Sequence, residues 1–121
     1  MSYSISIPEG RRYVLMKASG PFTRDLAIET GLKAQALMRA NGLVRALYDL
    51  RDAPNAEPTT INYYFAQSDL SEMRINRSAR VALLVAPDDH SHDFVERAIR
   101  EAGYTAELFR DEKAALAWLE A

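Results

Sequence analysis

The chain has no cysteine and no marked excess of either charge. Without thiols it forms no disulfide, thiolate metal site or cysteine nucleophile, a composition suited to a reducing cytoplasm. Its formal net charge of -2 gives no electrostatic reason to expect nucleic acid or an anionic membrane as partner. No apolar stretch approaches the roughly 18 residues of a membrane span, and residues 1–7 lack the features of a signal peptide. We therefore expect a soluble, cytoplasmic protein with no membrane insertion.

The apolar residues that are present are enough for one core. Hydrophobic residues make up 48% of the 121 positions, which is typical of a domain that folds without cross-links. The sequence shows no internal repeat, linker or low-complexity segment. It therefore predicts a single domain over residues 1–121.

Two short apolar runs predict buried parallel strands. Residues 44–50 and 80–86 each lead into carboxylates with a proline close by, and each is followed by the apolar spacing of a helix. A buried strand that feeds a helix has this pattern. Two such units in succession predict an α/β fold with a mostly parallel sheet.

The first forty residues predict a hairpin and a long helix. Apolar residues alternate with serines over residues 3–7, and residues 12–18 form the second arm after a Pro-Glu-Gly turn. Thr23 is placed to cap the helix, which runs to about Ala40 and stops at Asn41-Gly42. Gly31, in the middle of this helix, indicates a close approach between helix and sheet.

Three more helices are predicted in the remainder. The second covers residues 61–74, the third carries an apolar stripe closed by Gly103, and Asp111 caps the fourth after a last strand at residues 105–109. The third helix should bury this stripe against the sheet: Phe94, Val95, Ala98, Ile99 and Ala102. The predicted order is β-β-α-β-α-β-α-β-α.

This pattern resembles the SpoIIAA-like group that contains the STAS domains, and more narrowly its bacterial branch described as STAS or CRAL-TRIO-like. The resemblance covers nearly the whole chain and concerns core positions, not a catalytic motif. It implies a SpoIIAA-like α/β fold with a leading β-hairpin, four βα turns and a mostly parallel sheet covered by helices. The residues that carry it are Gly20-Pro21-Phe22-Thr23, residues 47–52, residues 81–85 and residues 109–119.

One departure from the family pattern concerns phosphorylation. In the anti-sigma-factor antagonists of this superfamily, an Asp-Ser-Ser-Gly type turn follows the second parallel strand, and a serine there is phosphorylated. The corresponding residues 52–60 contain neither serine nor glycine. The resemblance therefore does not transfer the phospho-switch, and only Thr59 and Thr60 are available as substitutes.

The predicted topology separates the charges between two rims of the sheet. Carboxylates gather at the helix amino ends and arginines at the carboxyl ends, where each favourable helix-dipole contact contributes about 0.3–1 kcal/mol. This effect explains the polarity without a ligand, and the alternative is that one rim docks a charged partner. Asp49 with Asp88 or Asp89 could form a carboxylate pair where α/β sheets bind ligands. Since no nucleophile or tuned base accompanies them, we expect no enzyme activity and no catalytic residue.

A histidine- and aspartate-rich segment, residues 88–93, raises the question of a metal site. Imidazole and carboxylate suit zinc or nickel, but the spacing of His90 and His92 matches no established ligand pattern. An acidic, capped helix start explains the segment better. We therefore predict no metal and no cofactor.

The aromatic cluster Tyr63-Tyr64-Phe65 follows the two-proline loop at residues 51–60, which the sequence suggests is the longest irregular connection. A helix spreads three successive side chains over about 200° of its surface, so we expect Tyr64 and Phe65 in the core and Tyr63 exposed. Exposed tyrosine is enriched at interfaces, whereas an aromatic helix can also line an apolar pocket. The plain alternative is that Tyr63 packs on the loop.

These observations predict a non-catalytic regulatory or protein-interaction domain. Its partner is an unknown protein or a second copy of the chain in a homodimer. The alternative function is binding of a small apolar or lipid-like ligand between the second helix and the sheet. The candidate ligand- or partner-binding residues are Asp49, Asp52, Thr59, Thr60, Tyr63, Asp88 and Asp89.

Overall fold

The computed structural model describes residues 2–121, which form one five-stranded sheet and four helices. The strands are β1 (Ser2–Ser6), β2 (Val14–Ser19), β3 (Arg45–Asp52), β4 (Arg80–Leu84) and β5 (Thr105–Phe109). The helices are α1 (Arg24–Ala40), α2 (residues 59–72), α3 (Asp93–Glu101) and α4 (Glu112–Glu120). Within α2, the α-helical segment Thr59–Tyr64 continues through a π-helical turn, Phe65–Asp69, into a last α-helical turn, Leu70–Glu72. No helix in residues 2–121 is both long and apolar enough to span a membrane.

The strand order in the sheet follows the order along the chain, β1-β2-β3-β4-β5. β1 pairs antiparallel with β2, and the other three pairings are parallel. The register aligns Met16, Tyr48 and Leu83 across β2, β3 and β4. The predicted element order, with its leading hairpin and four βα turns, is confirmed.

The helices are divided unequally between the two faces of the sheet. Met16, Leu50 and Leu83 point to the face that carries α1, α2 and α3, which we call the three-helix face. Leu47 and Leu84 point the other way, to the one-helix face, where α4 contributes the buried core residues Ala115 and Leu119. This alternation along β3 and β4 gives each parallel strand two apolar sides.

Local signals fix the helix ends where the sequence predicts them. The Thr23 hydroxyl accepts a hydrogen bond from the Leu26 N–H at 3.2 Å, and the Asp111 carboxylate accepts one from the Ala114 N–H at 3.0 Å. Gly42, after α1, has φ of 64°, a left-handed conformation that favours glycine. The caps of α1 and α4 and the stop of α1 are therefore confirmed.

The connections differ from the prediction in two respects. The irregular part after β3 is only residues 53–58, shorter than residues 85–92 after β4, because β3 continues to Asp52 and α2 begins at Thr59. The prediction that the loop after β3 is the longest is therefore wrong. At the start of α3 the cap residue is His92, which makes no side-chain capping bond. The Asp89 carboxylate instead accepts a hydrogen bond from the Ser91 N–H within the loop.

The buried side of α2 also differs from the prediction. Tyr64 is 49% exposed, so its assignment to the core is wrong, whereas Tyr63, at 54%, is exposed as predicted. Two of the four buried positions of α2, Asn62 and Asp69, are polar, and the other two are Ala66 and Leu70. A search for apolar spacing misses such a face because hydrogen-bonded polar side chains occupy it.

The apolar stripe of α3 is only partly buried. Val95 and Ala98 are buried, whereas Phe94, Ile99 and Ala102 keep intermediate exposure. Ile99 lines a cavity, which accounts for its remaining accessible surface.

Candidate functional site

An apolar cavity of about 130 Å³ lies between α2 and the three-helix face of the sheet. Nearly all of its wall is carbon. Its central residues are Tyr48, Val81 and Leu83 from the strands and Ile61, Phe65 and Ile99 from the helices. Five of these six side chains keep intermediate exposure although they point into the fold, and only Leu83 is buried. The middle of this face is therefore not closed by packing.

Polar contacts hold α2 against α1 at both ends of the cavity. At one end the Arg24 guanidinium donates two hydrogen bonds, of 2.6 and 2.8 Å, to the Asp69 carboxylate. At the other end the Gln35 side chain donates to the Met73 carbonyl at 3.3 Å and accepts from the Asn76 N–H at 3.0 Å. These polar contacts frame the apolar space that lies between them.

The π-helical turn sets which side chains of α2 face the cavity. In this turn the Leu70 N–H donates to the carbonyl of Phe65, five residues earlier. The wider turn aligns Phe65 with Leu70, and both line the cavity. The same segment ends at Asp69, the partner of Arg24. π-Helical turns occur frequently at functional sites.

Tyr48 places a phenol hydroxyl beside α1 in the wall of the cavity. Burial raises the pKa of its phenol, an effect that the neighbouring Thr30 hydroxyl offsets only in part, so the ring stays neutral. A Cβ atom on Gly31 would lie 2.8 Å from the Met73 methyl carbon and 3.9 Å from the Tyr48 hydroxyl. Gly31 thus marks a close approach of α1, chiefly to the residue that follows α2.

His92 connects the two loops beside the cavity. Its ring is 2% exposed, lies edge-on to Phe22 and is hydrogen-bonded through Nε2 to the Ala53 carbonyl at 2.8 Å. Burial lowers the pKa of His92, against the opposing effects of that carbonyl and of the nearby Asp89 carboxylate. The residue therefore joins the loop after β4 to the loop after β3 as a neutral imidazole.

The two histidines that raised the metal question have different partners. His90 pairs through Nδ1 with the Asp93 carboxylate at 2.9 Å, and Arg110 contacts both residues. His92 faces Ala53 instead. Within residues 2–121 no three histidine, aspartate or glutamate side chains are grouped as metal ligands.

Asp49 lies on the one-helix face, away from the cavity. Its carboxylate accepts two hydrogen bonds from the Arg51 side chain, at 3.0 and 2.8 Å, and Arg51 also reaches Glu112 at 3.3 Å. Burial alone would raise the pKa of Asp49, but the Arg51 hydrogen bonds outweigh it and hold the pKa below its usual value. The pair joins the end of β3 to the first turn of α4.

The other candidate residues are spread along the two loops. Asp52 ends β3 and Thr59, Thr60 and Tyr63 begin α2, all of them exposed. Asp88 is exposed in the loop after β4, and Asp89 beside it is half-buried.

Sequence reasoning missed the Arg24–Asp69 pair and the buried Asn62. Asn62 hydrogen-bonds to the Asn55 side chain at 3.2 Å, which ties α2 to its preceding loop. One signal was present: Asn62 and Asp69 are seven residues apart, the spacing of one helix face. Two polar residues at that spacing are consistent with a buried polar face as well as with a solvent-facing one.

The hairpin, the parallel register and the helix arrangement define the SpoIIAA-like α/β fold. No family model and no curated protein matches the chain, whereas solved structures do. An uncharacterised DUF3478-family protein from Shewanella loihica PV-4 with a SpoIIAA-like fold is 20% identical, with a TM-score of 0.57 over 98% of this chain and 92% of that one.

Two further structures are of SpoIIAA itself. The anti-sigma factor antagonist SpoIIAA in its unphosphorylated form is 11% identical, with a TM-score of 0.56 over 99% of both chains. The Bacillus cell fate determinant SpoIIAA in its phosphorylated form is also 11% identical, with a TM-score of 0.55 over 97% of this chain and 99% of that one. At these identities the likeness establishes the fold, and the CRAL-TRIO-like branch stays a prediction.

Proposed function

We propose that this chain is a non-catalytic regulatory or protein-interaction domain of the STAS/SpoIIAA-like type that works in the cytoplasm. Its docking surface is the outer side of α2 with the loop at residues 53–58, and its partner is another protein or a second copy of the chain. The observation that carries the proposal is the pair of adjacent exposed tyrosines, Tyr63 and Tyr64.

The chemistry of this surface fits protein recognition. The Arg24 guanidinium lies 5.1 Å from the centre of the Tyr64 ring, and Tyr63 directly precedes Tyr64 in the sequence. Tyrosine and arginine are enriched at interfaces and among the residues that dominate binding energy. The polar contacts of α2 already fix the Arg24 side chain, which lowers the entropy lost when a partner docks.

A binding role agrees with the hydrogen bonds of the ionisable side chains that could otherwise act in a reaction. Asp49 is already paired with Arg51 on the one-helix face, and Nε2 of the buried His92 is hydrogen-bonded to the Ala53 carbonyl. Asp49 is therefore not placed to take a proton from a molecule bound in the cavity. The SpoIIAA structures are of an anti-sigma factor antagonist and cell fate determinant, and a regulatory role for this chain is proposed by analogy of fold.

Tyr63→Asp tests the docking surface. A charge there should abolish self-association, measured by light scattering on a sizing column, or abolish a partner contact mapped to α2 by cross-linking from native cells. The melting temperature should stay nearly unchanged because Tyr63 is exposed. Leu32→Asp is the matched control, since Leu32 is similarly exposed but on α1. Unaltered association in Tyr63→Asp would contradict the proposal, and global unfolding would show that Tyr63 belongs to the core.

A second candidate function is binding of a small apolar ligand in the cavity. The cavity itself favours it, because apolar cavities of this order, about 150 Å³, stay dry and bind benzene-sized molecules. Solvent extraction of the purified protein followed by mass spectrometry tests for a retained ligand. Ala27→Leu would fill the cavity from α1, whereas Ala36→Leu makes the same change on the exposed side of that helix. The function is supported if the Ala36→Leu variant retains a ligand that the Ala27→Leu variant has lost. It is contradicted if the two variants retain the same amount of ligand.

A further inference from the structure

We infer that the cavity beneath α2 accepts one neutral molecule of single-ring size and that the Tyr48 hydroxyl binds its one polar atom. This inference rests on the proposed ligand-binding function and specifies its ligand class. Three properties of the site carry it: the volume of the cavity, the state of the charges at its rim and the position of Tyr48.

The volume limits the ligand to about one ring. At about 130 Å³ the cavity is close in size to the engineered apolar cavity of roughly 150 Å³ that holds benzene. A lipid could place only one end of an acyl chain in such a space. The structure therefore favours a compact ring over the lipid-like ligand that the sequence left open.

The charges around the cavity have partners within the protein. Arg24 is held by the Asp69 carboxylate, and the Glu57 carboxylate accepts a hydrogen bond from the Arg24 backbone N–H at 2.8 Å. His92, on the wall, is kept neutral by burial, which lowers its pKa. A charged ligand would lose its hydration in this apolar space and find no free counter-charge, so a neutral ligand is favoured.

Tyr48 offers a polar atom that can orient a ligand in the otherwise apolar cavity. It lies on the central strand β3, lines the cavity and keeps accessible surface although it points into the fold. Its hydroxyl faces α1, beside Thr30, whose own hydroxyl donates to the Leu26 carbonyl at 2.8 Å. Because burial raises its pKa, the phenol stays neutral, and its oxygen can accept a hydrogen bond from a hydroxyl on the ligand.

A second tyrosine on the wall serves as a matched control. The Tyr104 hydroxyl is fully enclosed and has no hydrogen-bond partner within residues 2–121. Tyr104→Phe and Tyr48→Phe remove the same atom from two tyrosines that line the same cavity. Only Tyr48→Phe should alter the recognition of a polar atom on the ligand.

The experiment measures binding of toluene, p-cresol and benzoate to the full chain by calorimetry and by the shift in melting temperature. Toluene and p-cresol should bind and benzoate should not. Tyr48→Phe should weaken p-cresol roughly three- to tenfold, as the loss of one hydrogen bond implies, and leave toluene unchanged. Tyr104→Phe should leave both unchanged. Ala27→Leu should abolish binding of both, and Ala36→Leu should not.

The outcomes separate this inference from the function on which it rests. The inferred ligand class is wrong, while a ligand site remains, if benzoate binds as tightly as toluene. The same conclusion follows if the affinity for p-cresol is unchanged by Tyr48→Phe, or is weakened by Tyr104→Phe instead. If no probe binds, or if Ala27→Leu leaves binding intact, both the inference and the ligand-binding function are contradicted.

Discussion

The Asp69 carboxylate receives the Arg24 guanidinium through two parallel hydrogen bonds, and this pair fastens α2 to α1 at the rim of the cavity. Asp69 is 4% exposed, whereas Arg24 keeps more than a third of its side-chain surface in solvent. A bidentate pair of this kind is more specific in geometry than a point-charge contact. It thus fixes the position of a helix that packs mainly on α3.

Removing Arg24 should destabilise the protein because it leaves a buried carboxylate without its partner. We expect Arg24→Ala to lower the urea midpoint clearly, and Arg24→Lys to restore it only in part, since lysine lacks the second parallel donor. Lys33→Ala is the control, because the Lys33–Glu29 pair is exposed on both sides. Equal midpoints for Arg24→Ala and Lys33→Ala would show that the pair does not hold α2.

The two faces of the sheet should respond differently to truncation. Leu119 is fully buried in α4, on the one-helix face, and Leu119→Ala should cost about 2–5 kcal/mol through lost transfer energy and a new cavity. Ile99 already borders a cavity and is only half-buried, so Ile99→Ala should cost about 1–2 kcal/mol. Chemical denaturation measures both. A larger loss at Ile99 than at Leu119 would mean that the cavity is closed in solution.

Local chemistry was enough to predict most of the fold. Thr23 and Asp111 are caps, Gly42 takes the left-handed conformation, and the apolar runs of β3 and β4 are buried on both sides, all signals contained within a few residues of sequence. The SpoIIAA-like element order follows from them. These features were predictable because each depends on local backbone conformation or on the period of apolar residues.

The candidate site was only partly predictable because it depends on distant residues. Asp69 can be buried in α2 only because Arg24 reaches it from a helix 45 residues earlier in the chain, and no local pattern contains that information. Tyr64 follows Ile61 at helical spacing, and that spacing predicts it in the core, whereas the structure buries Asn62 and Asp69 of this helix. The aromatic residues of α2 are enough to predict an apolar space beneath that helix. The volume of the space could not be predicted, because it depends on the distance between α2 and the sheet.

The residues that raised the metal question should bind no metal tightly. His90 and His92 have different partners, Asp93 and the Ala53 carbonyl. Protein purified without a metal-chelating tag should contain no stoichiometric zinc or nickel by elemental analysis, and EDTA should not change the melting temperature. Zinc that is bound by the native chain and lost in a His90→Ala, His92→Ala double variant would contradict this.

Acidification between pH 7 and pH 5 should destabilise the protein through His92. Burial lowers the pKa of His92 in the folded state, so below the ordinary value of about 6.5 the unfolded chain binds a proton that the folded protein excludes. The free energy of unfolding should therefore fall as the pH drops, by at most about 1.4 kcal/mol per pH unit. Asp49, Asp89 and Asp93 have lowered pKa values, so their contribution is lost only below about pH 4.

Urea unfolding at several pH values separates His92 from its exposed neighbour. His92→Gln should lower stability at pH 7, because the imidazole joins two loops, and should flatten the dependence on pH between 7 and 5. His90→Gln is the exposed control, and the part of the slope that comes from His92 should remain in that variant. If the free energy of unfolding falls equally with pH in the native protein and in His92→Gln, then His92 takes up its proton in the folded state. That result would contradict the description of His92 as a buried, neutral imidazole.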